Sequence, residues 1–312
     1  MSKLLVVFGA TGQQGSSVVN FVLNDPELSK IYKLRAITRD PNSKQSKKLS
    51  QKIEVVAGNA HDPSSLEAGL TGAHTVFAMT APDFNKFTPD AQYDDAKAIA
   101  DVSLAKGAQY IIFSTLPAIA EFSGGKCTAL MPFFDGKARA EQYIRGLPIK
   151  SAFVSLGMYF ENFQSQPYIA PLKDADGKWF ITRNNSPKAL YPWIAAVADT
   201  GKFVGAILAE PDKYEGKRFA ASERLYSLEE VAEIFSKKTG TKIEYRQSSD
   251  EEYGKQLPEY SKIPLLEGFA AMEEFGYYGP GTKEQVEWSA AQARGKLTSL
   301  EEFLDQNPYK LE

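Results

Sequence analysis

The chain has 312 residues, which is long enough for one large α/β domain and a smaller one. Its composition, with 43% hydrophobic and 24% charged residues, is typical of a globular protein, and a net charge of −3 excludes the broad basic field that holds nucleic acid directly. Cys127 is the single cysteine, which excludes an intrachain disulfide, and no apolar run approaches the roughly 18 residues of a membrane span, so we expect a cytosolic protein with nuclear entry left open.

The first predicted element is an apolar strand, Lys3–Phe8, that leads directly into the turn Gly9-Ala-Thr-Gly-Gln-Gln-Gly15. A segment with helical spacing of apolar residues follows the turn. This strand–turn–helix order is typical of a dinucleotide-binding domain. In such a domain Gly9 makes the tight turn, Gly12 lets the backbone approach the pyrophosphate, and Gly15 lets helix and strand pack closely. The alternative is an ordinary turn without a ligand.

The second predicted strand, Lys33–Arg39, ends at a strong turn signal, Asp40-Pro41. An NAD enzyme usually has an acidic residue at the end of this strand, where it binds the ribose 2′-hydroxyl. Here Arg39 takes that place, and a guanidinium suits a 2′-phosphate. Arg39 therefore favours NADP(H) over NAD(H), the alternative being a solvated charge. Asp40 precedes a proline, so we assign it to the turn.

Further predicted strands alternate with helices along the first half of the chain. The strands are Ile53–Ala57, Thr75–Met79, Gln109–Phe113 and Ile149–Ser155, and the clearest helices are Asp90–Lys106 and Asp135–Gly146. This alternation predicts an α/β fold with a doubly wound parallel sheet of the Rossmann type, which binds ligands at the carboxyl ends of its strands. The irregular stretch 116–134 follows a strand end and is predicted to be a lid, the alternative being a surface excursion.

Other candidate site residues are few. His61 and His74 are the only histidines, and with no cluster at ligand spacing we assign both to the surface or to loops and expect no metal site. Four tyrosines in the C-terminal part are candidates to line a cleft or, alternatively, to pack in a core: Tyr253, Tyr260, Tyr277 and Tyr278.

Specific combinations of residues recur along the chain: the glycine turn, Thr38-Arg39, Phe134-Asp-Gly-Lys137, Tyr159-Phe-Glu-Asn162 and Asp176-Gly177. Together they resemble the NmrA-like family, which consists of atypical short-chain dehydrogenases/reductases. The resemblance implies an NADP-binding Rossmann domain and a smaller C-terminal α/β domain with a cleft between them. We predict the Rossmann domain over residues 1–152, rejoined by about 186–210, and a discontinuous substrate or partner domain over 153–312.

The same resemblance implies NADP(H) as the cofactor and a set of residues that bind it. By position they are Gly9, Ala10, Thr11, Gly12, Gln13, Gln14 and Gly15 at the pyrophosphate, Arg39 and Ser43 at the 2′-phosphate, Asn59 and Ala60 near the adenine, Thr80, Ala81 and Pro82 at the ribose, and Lys137, Tyr159, Phe160, Glu161 and Asn162 around the nicotinamide. These residues account for cofactor binding, but they do not decide whether the protein also catalyses a reaction.

One catalytic residue of the superfamily is absent. Catalytic members use Ser, Tyr and Lys, with the tyrosine four residues before the lysine, so that the ammonium lowers the pKa of a proton-donating phenol. The residue four before Lys137 is Phe133, which has no proton to give. Ser114 and Lys137 are retained, and Tyr159 is the candidate substitute for the missing phenol.

Two functions remain open. In the first, cofactor occupancy regulates a partner protein, such as a transcription factor or an enzyme. In the second, the protein reduces a small-molecule acceptor such as a quinone, which needs no enzymic acid. Phe133 favours the regulator, while Ser114, Lys137 and the predicted lid keep the reductase open. The oligomeric state is not determined by the sequence.

Overall fold

The computed structural model describes residues 2–81, 90–128 and 134–311; Pro82 and Phe133, both named above, lie outside these ranges. Its strands are β1 (Lys3–Phe8), β2 (Tyr32–Thr38), β3 (Glu54–Ala57), β4 (Thr75–Ala78), β5 (Tyr110–Thr115), β6 (Lys150–Leu156), β7 (Met158–Tyr159), β8 (Leu172–Lys173), β9 (Trp179–Arg183), β10 (Leu190–Ile194), β11 (Arg218–Ala221), β12 (Arg224–Ser227) and β13 (Ile243–Gln247). Its α-helices are α1 (Gln13–Asn24), α2 (Leu28–Ile31), α3 (Lys44–Leu49), α4 (Pro63–Leu70), α5 (Ala91–Ala105), α6 (Ile119–Phe122), α7 (Asp135–Arg145), α8 (Asn162–Ser165), α9 (Ala196–Ala209), α10 (Leu228–Thr239), α11 (Asp250–Gly254), α12 (Lys262–Phe275), α13 (Thr282–Gln292) and α14 (Leu300–Gln306).

A seven-stranded parallel sheet forms the larger part of the molecule. Its strand order is β11-β6-β5-β4-β1-β2-β3, so the direction of winding reverses between β1 and β4. This order confirms the predicted Rossmann-type fold. In sheets of this kind ligands bind beside the carboxyl ends of the strands at the reversal.

The faces of β1 explain its unbroken apolar sequence. Leu5 and Val7 pack with α1 and α9 on one side of the sheet, while Val6 and Phe8 pack with α4 and α5 on the other. Successive side chains of a strand point to opposite faces, and helices cover both faces of this sheet. A strand buried on both sides therefore needs apolar residues at consecutive positions.

The rest of the chain forms a smaller α/β region around two three-stranded sheets, β12-β10-β7 and β13-β9-β8. Its aromatic core includes Phe160 and Phe163 stacked on Trp193. The chain returns to the large sheet through α9 and then through β11, which pairs with β6 and lies beyond the predicted 186–210. The predicted domain boundaries stay a prediction.

Two of the helices that begin at a serine cap are α10 and α14. Ser299 and Glu302 form a complete capping box at α14. Ser227 accepts a hydrogen bond from the Glu230 amide at α10, but the Glu230 carboxylate pairs with Arg224 at 2.7 Å.

Within the predicted lid the structure describes α6, while residues 129–133 lie outside the described ranges, so the lid stays a prediction.

Candidate active site

The glycine turn has the geometry that a pyrophosphate requires. Gly9 has a φ of +64°, and the Gly12 amide donates to the Gly9 carbonyl oxygen at 2.9 Å. A Cβ atom at Gly15 would lie 2.3 Å from the Gly9 oxygen, so only glycine allows α1 to approach the turn this closely. A Cβ at Gly12 would meet only the Gly9 oxygen, at 3.4 Å. The space in front of Gly12 is therefore open to a ligand at the amino end of α1.

A polar cavity of about 690 Å³ extends from this turn across the ends of β2, β3 and β4. Arg39 at its edge is exposed, and no ion pair of Arg39 occurs among the residues that the structure describes. The Asp40 carboxylate accepts a hydrogen bond from the Asn42 amide, in keeping with its assignment to the turn. The cavity brings together these predicted cofactor residues: Gly9, Thr11, Arg39, Ser43, Asn59, Ala60, Thr80 and Ala81.

His61 contacts an acidic residue that is distant in sequence. Its Nδ1 atom lies 2.7 Å from Asp95 Oδ1, and both side chains line the polar cavity. Burial raises the pKa of Asp95, and the neighbouring His61 partly opposes this shift. Asp95 is on α5, 34 positions away in sequence, so no local pattern links the pair. Among the described residues, no three histidine, cysteine or acidic side chains come together as metal ligands.

Lys137 does not line this cavity itself, but it contacts Thr80, which does. Its Nζ atom donates to the Thr80 carbonyl oxygen at 2.9 Å, and burial lowers the pKa of Lys137 to about 8. Ser114 is buried at the end of β5, next to Thr115, whose hydroxyl bonds to the Lys137 carbonyl. The structure thus brings Lys137 to the predicted ribose position at Thr80. Phe133 is outside the described residues, so the missing phenol is known from the sequence alone.

Tyr159 connects the glycine turn with the smaller region. Gln14 Nε2 donates to the Tyr159 hydroxyl oxygen at 2.6 Å, while Gln14 Oε1 is buried without a partner in the described structure. Burial raises the pKa of Tyr159 to about 12. The phenol therefore keeps its proton at neutral pH, and its oxygen already accepts a hydrogen bond from Gln14.

The residues of the Tyr159–Asn162 motif make different kinds of contact in the structure. Phe160 is completely buried in the aromatic core. The Glu161 carboxylate accepts hydrogen bonds from the amides of Ala196 and Val197, at 3.0 and 2.8 Å, and so caps α9. This cap explains why α9 begins at Ala196. The side chains of Phe160 and Glu161 therefore contact the protein, and Ala10 is likewise buried in the core. The assignment of these residues to the cofactor stays a prediction.

A second, mostly apolar cavity of about 390 Å³ lies next to Tyr159. Of the predicted site residues, Gln13, Tyr159 and Asn162 line it, as does Tyr277 from the four candidate tyrosines. Tyr253 and Tyr278 are buried, and Tyr260 is largely exposed. Most residues of the apolar wall were not predicted as site residues. The wall consists of Leu116, Phe134, Leu156, Met158, Ile169, Pro264, Leu265, Phe269 and Met272.

A model of the NmrA-like family matches residues 1–304. The chain belongs to the NmrA-like family. An NmrA-like family domain-containing protein of Dictyostelium discoideum is 30% identical to it, with both chains covered completely. An NmrA-like family domain-containing oxidoreductase of Aspergillus flavus is 26% identical over 99% of this chain and 95% of its own.

Solved structures agree with the fold of this NmrA-like protein. NmrA, a negative transcriptional regulator crystallised with NAD, superposes with a TM-score of 0.77 at 22% identity, covering 97% of this chain and 94% of its own. The NADP(H) complex of the Citrobacter sp. triphenylmethane reductase gives 0.73 at 18% identity, covering 97% and 99%. These similarities establish the architecture.

In the described parts of the chain, no helix combines the length and hydropathy needed to span a bilayer.

Proposed function

We propose that this NmrA-like protein binds NADP(H) and reduces a planar apolar acceptor, such as a quinone, in the cavity beside Tyr159. The observation that carries the proposal is that Gln13 of the glycine turn and Tyr159 both line this apolar cavity. An apolar pocket with a few polar groups, next to a dinucleotide site, is the usual form of a small-molecule site. Relatives named as oxidoreductases, and a related reductase crystallised with NADP(H), support the same class of activity.

The residues in the polar cavity fit the cofactor. Arg39 offers an exposed guanidinium beside the Ser43 hydroxyl, a pair suited to a 2′-phosphate. The open backbone at Gly12 would hold the pyrophosphate, and Lys137 and Thr80 would hold the ribose. Gln14 Oε1, buried and without a partner in the described structure, is a free acceptor on a side chain that contacts Tyr159, the residue expected near the nicotinamide. When bound, NADPH would supply a hydride.

The remaining chemistry concerns one proton. Reduction of a ketone would leave an alkoxide that needs an acid at once, and Tyr159, with a pKa of about 12, is a weak one. A quinone that accepts a hydride becomes a delocalised anion, which can take its proton from water later. The apolar walls contributed by Leu265 and Met272 suit a flat, uncharged ring system. A quinone is therefore the acceptor class that these residues favour.

Oxidation of NADPH with a panel of quinones and simple ketones tests this proposal. We expect steady turnover with naphthoquinones and little with ketones, and NADH should be the poorer donor. Absence of turnover with every quinone, in a protein shown to bind NADPH, would contradict the reductase proposal.

A second candidate is a cofactor-dependent regulator that acts through a protein partner. Phe133, at the position of the family's acid, supports it, as does the likeness to a protein described as a negative transcriptional regulator. In that case Phe133→Tyr should remain inactive with all acceptors while it still binds NADPH, because an added acid cannot replace missing substrate positioning. Ketone reduction gained by Phe133→Tyr would favour the reductase.

A further inference from the structure

Arg183, at the end of β9, is a buried cation for which the described part of the chain supplies no counter-ion. Its side chain is 1% exposed, and no carboxylate lies within ion-pair distance of it in the described structure. Among the described residues, its side chain makes one hydrogen bond, from Nη1 to the sulfur of Met158 at 3.9 Å, and Nε is buried without a partner. The negative charge of Glu273 affects the pKa of a tyrosine that also contacts Arg183. The Glu273 carboxylate does not pair with Arg183, however, but accepts hydrogen bonds from Asn185 and the Ser186 amide.

Aromatic rings surround the guanidinium. Its central carbon lies 4.6 Å from the ring centre of Phe269, 5.1 Å from that of Tyr191 and 5.7 Å from that of Trp193. Such contacts attract a cation but only partly offset the free-energy cost of removing it from water. Replacing buried charged groups by apolar residues often stabilises a protein. A buried polar group without a partner calls for an explanation, such as a missing ligand.

Arg183 does not itself line the apolar cavity, but side chains that contact it do. Met158 and Phe269 contact the guanidinium and also line the cavity. Tyr168, another wall residue, experiences the positive charge, which counteracts part of the rise that burial causes in its pKa. Met158 is half-buried and has a flexible side chain, and its sulfur is a weak acceptor that a carboxylate oxygen would readily replace.

We propose that Arg183 is the specificity residue of this cavity and selects planar apolar ligands that carry one anionic oxygen group, such as a carboxylate or an ionised ring hydroxyl. The inference rests on the cavity assigned above to the acceptor. The ring system would lie between Leu265 and Met272, and the anionic group would displace the Met158 sulfur to pair with the guanidinium. An acidic derivative of a quinone would then be preferred over the neutral parent compound.

The test compares two ligands that share a ring but differ in charge. The affinities of 2-naphthoate and 2-naphthylmethanol are measured by calorimetry at pH 7 with the wild type and with Arg183→Met, which has similar length and no charge. We expect the wild type to bind the carboxylate at least tenfold more tightly than the alcohol. In Arg183→Met this ratio should fall to about one, while the affinity for the alcohol stays within about twofold.

Two controls locate the effect. Arg246 is on the neighbouring strand β13 and is paired with Asp174. Arg246→Met removes this cation and should leave the ratio unchanged. Leu265→Trp fills the cavity and should abolish binding of both ligands.

A ratio near one in the wild type, or an unchanged ratio in Arg183→Met, would overturn the assignment. The wild-type ratio needs no variant and remains decisive if Arg183→Met does not fold. Binding is measured without turnover, so the two proposals can fail separately. A charge preference in a protein that turns over no acceptor would support the role of Arg183 and contradict the reductase. Quinone turnover without the preference would do the reverse.

Discussion

At the scale of single residues, Gly12 and Gly15 have tasks that substitution can separate. Gly12 has an extended backbone and room for a side chain in the protein itself, whereas a side chain at Gly15 would collide with the Gly9 carbonyl. Gly12→Val should therefore fold with a melting temperature near that of the wild type but lose NADPH binding in calorimetry. Gly15→Ala should lower the melting temperature. NADPH affinity like that of the wild type in Gly12→Val would show that the phosphate binds elsewhere.

Arg39 should determine the choice between the two dinucleotides. Its exposed guanidinium is free of ion pairs in the described part of the chain, so Arg39→Ala removes only what it would bind. We expect NADPH affinity to fall by about 1.5–3 kcal/mol, the range for hydrogen bonds to charged groups, with NADH affinity nearly unchanged. Lys48→Ala, which removes an exposed cation of α3 nearby, is the matched control and should have little effect. Equal losses for both dinucleotides in Arg39→Ala would refute the assignment.

Lys137 should make stability depend on pH in the alkaline range. Burial lowers its pKa to about 8 in the folded protein, against roughly 10.4 in an unfolded chain. Between these values the unfolded state binds more protons, so the contribution of Lys137 to the free energy of unfolding rises with pH. Relative to Lys137→Met, the wild type should gain up to about 3 kcal/mol between pH 7 and pH 10.5 in urea unfolding. A difference that does not change with pH would mean that the ammonium is not desolvated.

At the scale of elements, Glu161 is predicted to stabilise a helix instead of binding the cofactor. Its carboxylate accepts the first amides of α9, so Glu161→Ala should lower the free energy of unfolding by about 0.5–2 kcal/mol, as loss of an N-terminal cap does. NADPH affinity should stay unchanged. Weaker NADPH binding with full stability would instead return Glu161 to the nicotinamide, where the sequence pattern had it.

The large sheet was predictable because its signals are local. The apolar run of β1, the glycine turn and the alternation of strands with helices each follow from neighbouring residues, and predicted strand ends differ from the observed ones by at most two positions. The cap on α9 was not predictable, because Glu161 and Ala196 are far apart in sequence. A motif alone cannot show whether its side chains contact a ligand or the protein, which is why Phe160 and Glu161 were assigned to the cofactor.

At the scale of the whole molecule, the apolar cavity results from the way the two regions meet. Its walls come from segments near residues 116, 134, 156–169 and 264–277, which only the tertiary structure brings together. Leu265, Phe269 and Met272 share one face of α12 with helical spacing, a pattern that also describes ordinary core packing. The sequence therefore named more of the residues that line the polar cavity than of those that line the apolar cavity.

The most direct test of the central claim fills this cavity and leaves the dinucleotide site unaltered. Leu265 lines the cavity, while Ile263, two residues earlier on α12, is 63% exposed and serves as the control. NADPH oxidation with 1,4-naphthoquinone is measured for the wild type, Leu265→Trp and Ile263→Trp, together with the NADPH affinity of each. We predict turnover in the wild type and in Ile263→Trp, at least a tenfold lower rate in Leu265→Trp, and equal NADPH binding in all three. Equal rates for the two tryptophan variants, or no turnover in the wild type, would contradict an acceptor site in this cavity.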